Sequence, residues 1–93
     1  MNRDRVVRRI GDEALFADGF DAAIIGYVER FGLEPLVLYN REKCIEILAK
    51  EMSYDEAEEH FEFNVIGAWV GDNTPAFATI LVAPKKKIKR RKK

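Results

Sequence analysis

Three places in the chain hold residue types that carry chemistry. The first is the pair of potential metal ligands or nucleophiles, Cys44 and His60, one of each in 93 residues. Metal binding wants at least three converging ligands, and no C-x-x-C, H-E-x-x-H or E-x-x-H spacing surrounds either residue. A lone cysteine on an apolar helix stripe reads as a small core residue. His60 stands four residues after Glu56, so the two share a helix face and are expected to pair as a surface ion pair. A histidine beside a carboxylate can act as a general base, but no nucleophile lies near it in sequence.

The second place is the acidic run Asp55, Glu56, Glu58, Glu59, Glu62. Helical spacing gathers Asp55, Glu58, Glu59 and Glu62 on one face and leaves Glu56 toward His60. No D-x-D-x-D-G loop is present to make it a calcium site. Two readings remain: the solvated face of a capped helix, or a binding face for a basic partner. The second makes those four carboxylates the candidate protein-binding residues. Two neighbours of this run have uses of their own. Asn64, inside an apolar stretch, is expected to be buried and hydrogen-bonded. Trp69 is expected in the core first and at an interface second.

The third place is the C-terminus, where Lys85, Lys86, Lys87, Lys89, Arg90, Arg91, Lys92 and Lys93 surround one isoleucine. A run of like charges with a single apolar side chain cannot fold alone. It is either a solvated tail lying loosely back on an acidic face, or a contact for phosphate backbone or an acidic partner. On nucleic acid it would release counterions and bind with strong salt dependence and no sequence preference. A nuclear address is a third, weaker reading of the same composition.

The formal net charge of zero is a sum over three unlike parts. Residues 1–10 carry +3, residues 11–84 carry −11, and residues 85–93 carry +8. The expected organisation is a basic N-terminal arm (1–10), a single small α+β domain (11–84) and a cationic tail (85–93). Apolar residues at 47% suit a globular body. No apolar run reaches the length of a membrane span, and the N-terminus lacks the apolar core of a signal peptide. Neither a cofactor nor a metal is expected.

The elements that must position these groups follow from periodicity. Ala22 to Phe31 is β-branched and aromatic with partial alternation, hence a strand, with Gly26 as a bulge or close approach. Gly32 to Pro35 is the connection to a buried strand over Leu36 to Tyr39. Asn40 is a helix N-cap, and Arg41 to Met52 puts Cys44, Ile45, Leu48 and Met52 on one face. Ser53 and Glu56 form a capping box for a second helix. Its apolar residues, Tyr54, Ala57, Phe61, Val65 and Ala68 in one row and Phe63, Ile66 and Val70 in another, make its second half apolar almost all round. That half is expected at the centre of the domain, ending where Gly67 and Gly71 bracket Ala68, Trp69 and Val70. Ala76 to Ala83 alternates as a third strand. The expected fold is α+β, a three-stranded, mostly antiparallel sheet with two helices on one face, in the order β-β-α-α-β. A core this small is expected to give about 5 kcal/mol of stability, which a homodimer covering the bare sheet face or an edge would raise.

The segments DGFDAAIIGY (18–27), VLYNREKCIEILAKE (37–51) and MSYDEAEEHFEFNVIGAWVGDNTPAF (52–77) resemble a family of small uncharacterised proteins of tailed phages and prophages. The shared pattern is Asp-Gly-x-Asp-x-Ala-Ile-Ile-Gly, then Tyr-x-x-x-Lys-Cys-Ile-Glu, then Phe-x-Phe-Asn-Val-x-Gly-Ala-Trp-Val-Gly. It covers roughly two-thirds of the chain. The resemblance implies a phage-type setting and the cytoplasm of a bacterial host, and it implies no chemistry. The cationic tail departs from the pattern, so what is read from it can be special to this chain. The combined expectation is a non-catalytic phage-type accessory protein whose acidic body binds a host or phage protein. The alternative is nucleic-acid or nucleoprotein binding through the tail.

Overall fold

The computed structural model describes residues 2–81. The element order is α1 (Asn2–Ile10), a 3-10 turn (Asp21–Ala23), β1 (Ile24–Arg30), β2 (Leu33–Asn40), α2 (Arg41–Leu48), α3 (Tyr54–Phe61), a π-type turn (Glu62–Ile66) and β3 (Ala76–Ala78). The fold is α+β. β2 is the central strand of a three-stranded mixed sheet. It pairs antiparallel with β1 and parallel with β3.

The β1–β2 hairpin closes through two residues, Phe31 and Gly32, because Arg30 pairs with Leu33. The strand therefore begins at Leu33, and the expected four-residue connection is shortened. Gly32 has φ +75°, a left-handed conformation that a β-carbon would strain, so the tight turn depends on it. An irregularity between Ile24 and Gly26 places a bulge at Ile25, one residue before the expected Gly26, which itself pairs with Leu38.

Both predicted caps are formed. Lys43 N–H donates to the Asn40 side chain at 3.1 Å. Glu56 N–H donates to Ser53 Oγ at 3.1 Å, and Ser53 N–H donates back to Glu56 Oε1 at 3.1 Å. Each cap satisfies donors that the first helical turn leaves unpaired. The core gathers Ile24, Val37, Tyr39, Cys44, Ile45, Ala57 and Phe61, with Val6 from α1. Phe77 fixes β3 against it. Its ring stacks on Tyr39 at 5.3 Å and meets Phe61 edge-on at 5.3 Å.

Several expectations are corrected. The N-terminal segment is not an arm. It forms a helix that buries Val6, packs on β1, and ties to it where Asn2 Nδ2 donates to the Ile24 carbonyl at 2.7 Å. Four arginines in ten residues hid a one-residue apolar anchor. The third strand is three residues long and parallel, since a crossover containing α2 and α3 separates it from β2. Residues Thr79, Ile80 and Leu81 leave the sheet, and residues 82 and 83 of the expected strand lie outside the described residues. The second helix stops being regular at Phe61, loosens into the π-type turn, and ends at Gly67, the first of the two bracketing glycines. A β-carbon on Gly67 would lie 2.9 Å from the Phe63 carbonyl oxygen, so this ending requires glycine.

The candidate interaction surface

α3 carries Asp55, Glu58 and Glu59, and Glu62, the first residue of the π-type turn, continues the same side. Asp55, Glu59 and Glu62 are exposed and Glu58 is half-buried. The face is not uniformly available. Arg41, the first residue of α2, reaches across and ion-pairs with both Glu58 (3.6 Å) and Glu62. Its guanidinium lies 5.4 Å from the centre of the buried Phe61 ring. Asp55 and Glu59 have no cation within ion-pair distance among the described residues. Two of the four candidates therefore pair with Arg41 of α2, and the other two have no cationic partner among the described residues. Tyr54, at the start of the helix, donates its hydroxyl to Glu42 at 2.7 Å, which holds the phenol's proton and raises its pKa.

His60 does not pair with Glu56. It lies within 3.3 Å of the Asn64 amide, one turn along, at the exposed surface. Asn64 is thus solvated rather than buried. Cys44 is buried, and desolvation pushes its thiol up to about 11. That is the opposite of what a reactive cysteine needs. Among the described residues no group of three His, Cys, Asp or Glu side chains is placed to hold a metal ion. No helix among them is long and apolar enough to cross a membrane. Lys85, Lys86, Lys87, Lys89, Arg90, Arg91, Lys92 and Lys93 lie outside the described residues.

The carboxylate face continues into an apolar one. Glu59 and Phe63 are four residues apart, as are Glu62 and Ile66, so each apolar residue follows a carboxylate along the same side. Phe63 is 74% exposed, Trp69 71% and Val70 63%, and Ile66 is also exposed. The expectation of a central, buried second half is therefore overturned, and Trp69 is not a core residue.

The exposed segment is held in place. Val70 N–H donates to Thr74 Oγ1 at 2.9 Å, and Thr74 Oγ1 donates to the Gly71 carbonyl at 2.6 Å. Gly71 takes φ +113° to make this turn. Between this segment and the loop before β1 runs an open, mainly apolar groove of about 380 Å³. Leu15, Phe16 and Phe20 line it from the loop, and Val65, Ala68 and Val70 line it from the π-type turn and its continuation. The loop is anchored by Ala17 N–H donating to the buried Tyr39 hydroxyl at 2.7 Å. Burial raises the Tyr39 pKa, so the phenol stays neutral at physiological pH.

Monomeric proteins rarely leave a contiguous apolar patch of more than a few hundred Å² exposed. Exposed aromatic residues with a groove beside them and carboxylates along one edge make a surface suited to contact with another molecule. Sequence reasoning missed Phe63, Ile66, Trp69 and Val70 as surface residues. The one available signal was the pair Gly67 and Gly71, which break the helix on either side of Trp69.

Comparison with known proteins adds no relative: no family model matches the chain, and neither curated proteins nor solved structures give a significant match.

Proposed function

We propose that this protein is a non-catalytic interaction module of a phage-type system, acting on a host or phage protein in the bacterial cytoplasm. Its partner presents an apolar side chain flanked by lysine or arginine. The observation that carries the reading is the exposed Phe63–Trp69–Val70 surface adjoining the carboxylates of Asp55 and Glu59, which have no ion-pair partner among the described residues. The aromatic residues would supply affinity by leaving water, and the carboxylates would supply orientation and encounter rate toward a basic surface. The phage-type setting rests on the sequence resemblance and on nothing in the geometry.

The test is capture from nuclease-treated bacterial lysate by three forms of the full chain: wild type, Trp69→Ser, and Asp55→Lys with Glu59→Lys. A protein retained by wild type and lost by both variants supports the reading. Retention by both variants alike refutes it. If wild type captures nothing and sediments as a dimer that Trp69→Ser dissociates, the patch serves a second copy and the reading also fails. The second reading, nucleic-acid binding through Lys85 to Lys93, is favoured by eight cations in nine residues. In that case retention disappears with nuclease or high salt, and deleting the tail abolishes it.

A further inference from the structure

We propose that the groove between α1 and β1 is a separate binding site, one that takes single-stranded nucleic acid by its phosphates. This groove, of about 300 Å³, is lined by Asn2, Arg5, Arg9, Ile25, Gly26 and Tyr27. It is independent of the α3 surface, because α1 packs on β1 and the 3-10 turn, whereas α3 packs on α2.

The arginines of α1 divide by role. Arg3 is committed to structure, paired with Asp21 at 3.0 Å and lying 4.1 Å from the centre of the Phe16 ring. Arg5, Arg8 and Arg9 have no carboxylate within ion-pair distance among the described residues. Arg5 and Arg9 are one turn apart, about 6 Å of rise along the helix backbone, and both line the groove. Arg5 is also pre-positioned. It donates to Asn2 Oδ1 at 3.2 Å, while Asn2 donates to the Ile24 carbonyl at 2.7 Å. That relay fixes a guanidinium without neutralising it.

The strand side of the groove complements this. The space where a β-carbon on Gly26 would project is open, so a ligand can approach the backbone there. The bulge at Ile25 leaves that side chain exposed, and the half-buried Tyr27 ring adds an aromatic edge. Positive charge tracking a backbone, with aromatic and apolar surface beside it, is how single strands are held without sequence preference. Half of the sixteen carboxylates lie in α2, α3 and the residues beside them; Asp4 shares α1 and Glu29 shares β1 with the groove, but no acidic side chain among the described residues lines it.

The experiment is fluorescence anisotropy of a labelled oligothymidylate titrated with the full chain across a salt series. It compares wild type, Arg5→Gln with Arg9→Gln, and a chain lacking Lys85 to Lys93. In the arginine variant, affinity is expected to fall about tenfold per guanidinium. The slope of log K against log salt is expected to shrink by about 1.4, for two lost phosphate contacts at about 0.7 each. Unchanged affinity and slope in that variant overturn the proposal, whether or not the tail deletion abolishes binding. An NMR titration of wild type gives a second readout that needs no variant. The Gly26 and Tyr27 amides must move with the oligonucleotide at concentrations where inorganic phosphate leaves them still. If they respond only to inorganic phosphate, or to neither, the site is not one for nucleic acid.

Discussion

Replacing Trp69 by serine should cost little stability, and this outcome decides whether the apolar second half of the 53–71 segment is surface or core. Removing a fully buried Phe or Trp side chain costs about 3–5 kcal/mol. Trp69 is 71% exposed, so under a third of that contact exists to be lost. The expected penalty is about 1 kcal/mol. Phe61, eight residues earlier and fully buried against Phe77, is the internal standard. Phe61→Ala should cost the full about 3–5 kcal/mol, most of what a domain of this size has. With a urea slope of about 1 kcal/mol per molar, the two variants should shift the unfolding midpoint by roughly 1 M and by 3 M or more.

Far-UV circular dichroism reads the midpoints without depending on the tryptophan. The wild-type fluorescence supplies an independent check, because Trp69 is the single tryptophan of the chain. Its emission should be red-shifted and readily quenched by acrylamide at micromolar protein. A loss of 3 kcal/mol or more in Trp69→Ser, or an emission shielded from acrylamide in dilute monomer, would refute the reasoning. The proposed interaction surface would fall with it.

Three further outcomes are expected. Ser53→Ala should lower stability by about 1 kcal/mol, since it removes one half of the reciprocal cap; Ser53→Asp should restore most of it in the same urea titration. Gly32→Ala should cost about 1–2 kcal/mol, because φ +75° must be held by an L-residue, although nothing crowds the added methyl group. Stability should fall as pH rises above about 8.5, where the unfolded Cys44 thiol loses its proton, while the buried native thiol holds its proton until about 11. In that window the native state binds more protons, so the slope is negative and at most about 1.4 kcal/mol per pH unit. Cys44→Ala should flatten the curve between pH 8 and 10, below the range in which Tyr39 and Tyr54 add their own raised pKa values.

What could be read from sequence was chemistry confined to a few neighbouring residues. The Asn40 cap and the Ser53–Glu56 box are satisfied within three residues, so no tertiary information is needed to see them. Burial of Cys44, Ala57 and Phe61 followed from helical periodicity, and Gly32 announced a turn. The failures share a cause as well. Whether Val6 docks depends on a partner surface across the fold, and four arginines in the same ten residues masked it. The run Ala76 to Leu81 alternates throughout, yet only Ala76 to Ala78 finds β2 to pair with. Helical spacing groups the four carboxylates, but it does not divide them. No pattern within α3 shows that Arg41, from another helix, takes Glu58 and Glu62 and leaves Asp55 and Glu59.

The apolar segment carries the more general lesson. A stretch that is apolar all round states that burial is favourable, and it does not state which molecule supplies the cover. Within a larger domain the default answer is the chain itself. In this chain Ile24, Val37 and Tyr39 of the sheet pack with Cys44, Ile45, Ala57 and Phe61 of the helices, and the segment after Phe61 stays outside that core. Phe63, Ile66, Trp69 and Val70 keep the hydrophobic driving force and lack the surface to spend it on. Thr74 and two glycines meanwhile hold the segment in one shape, which lowers the entropy lost on binding. A merely surplus apolar segment would have no reason to be stapled. Fixed geometry, carboxylates on one flank and a groove on the other make it more economical to read this surface as shaped for an occupant than as core left over.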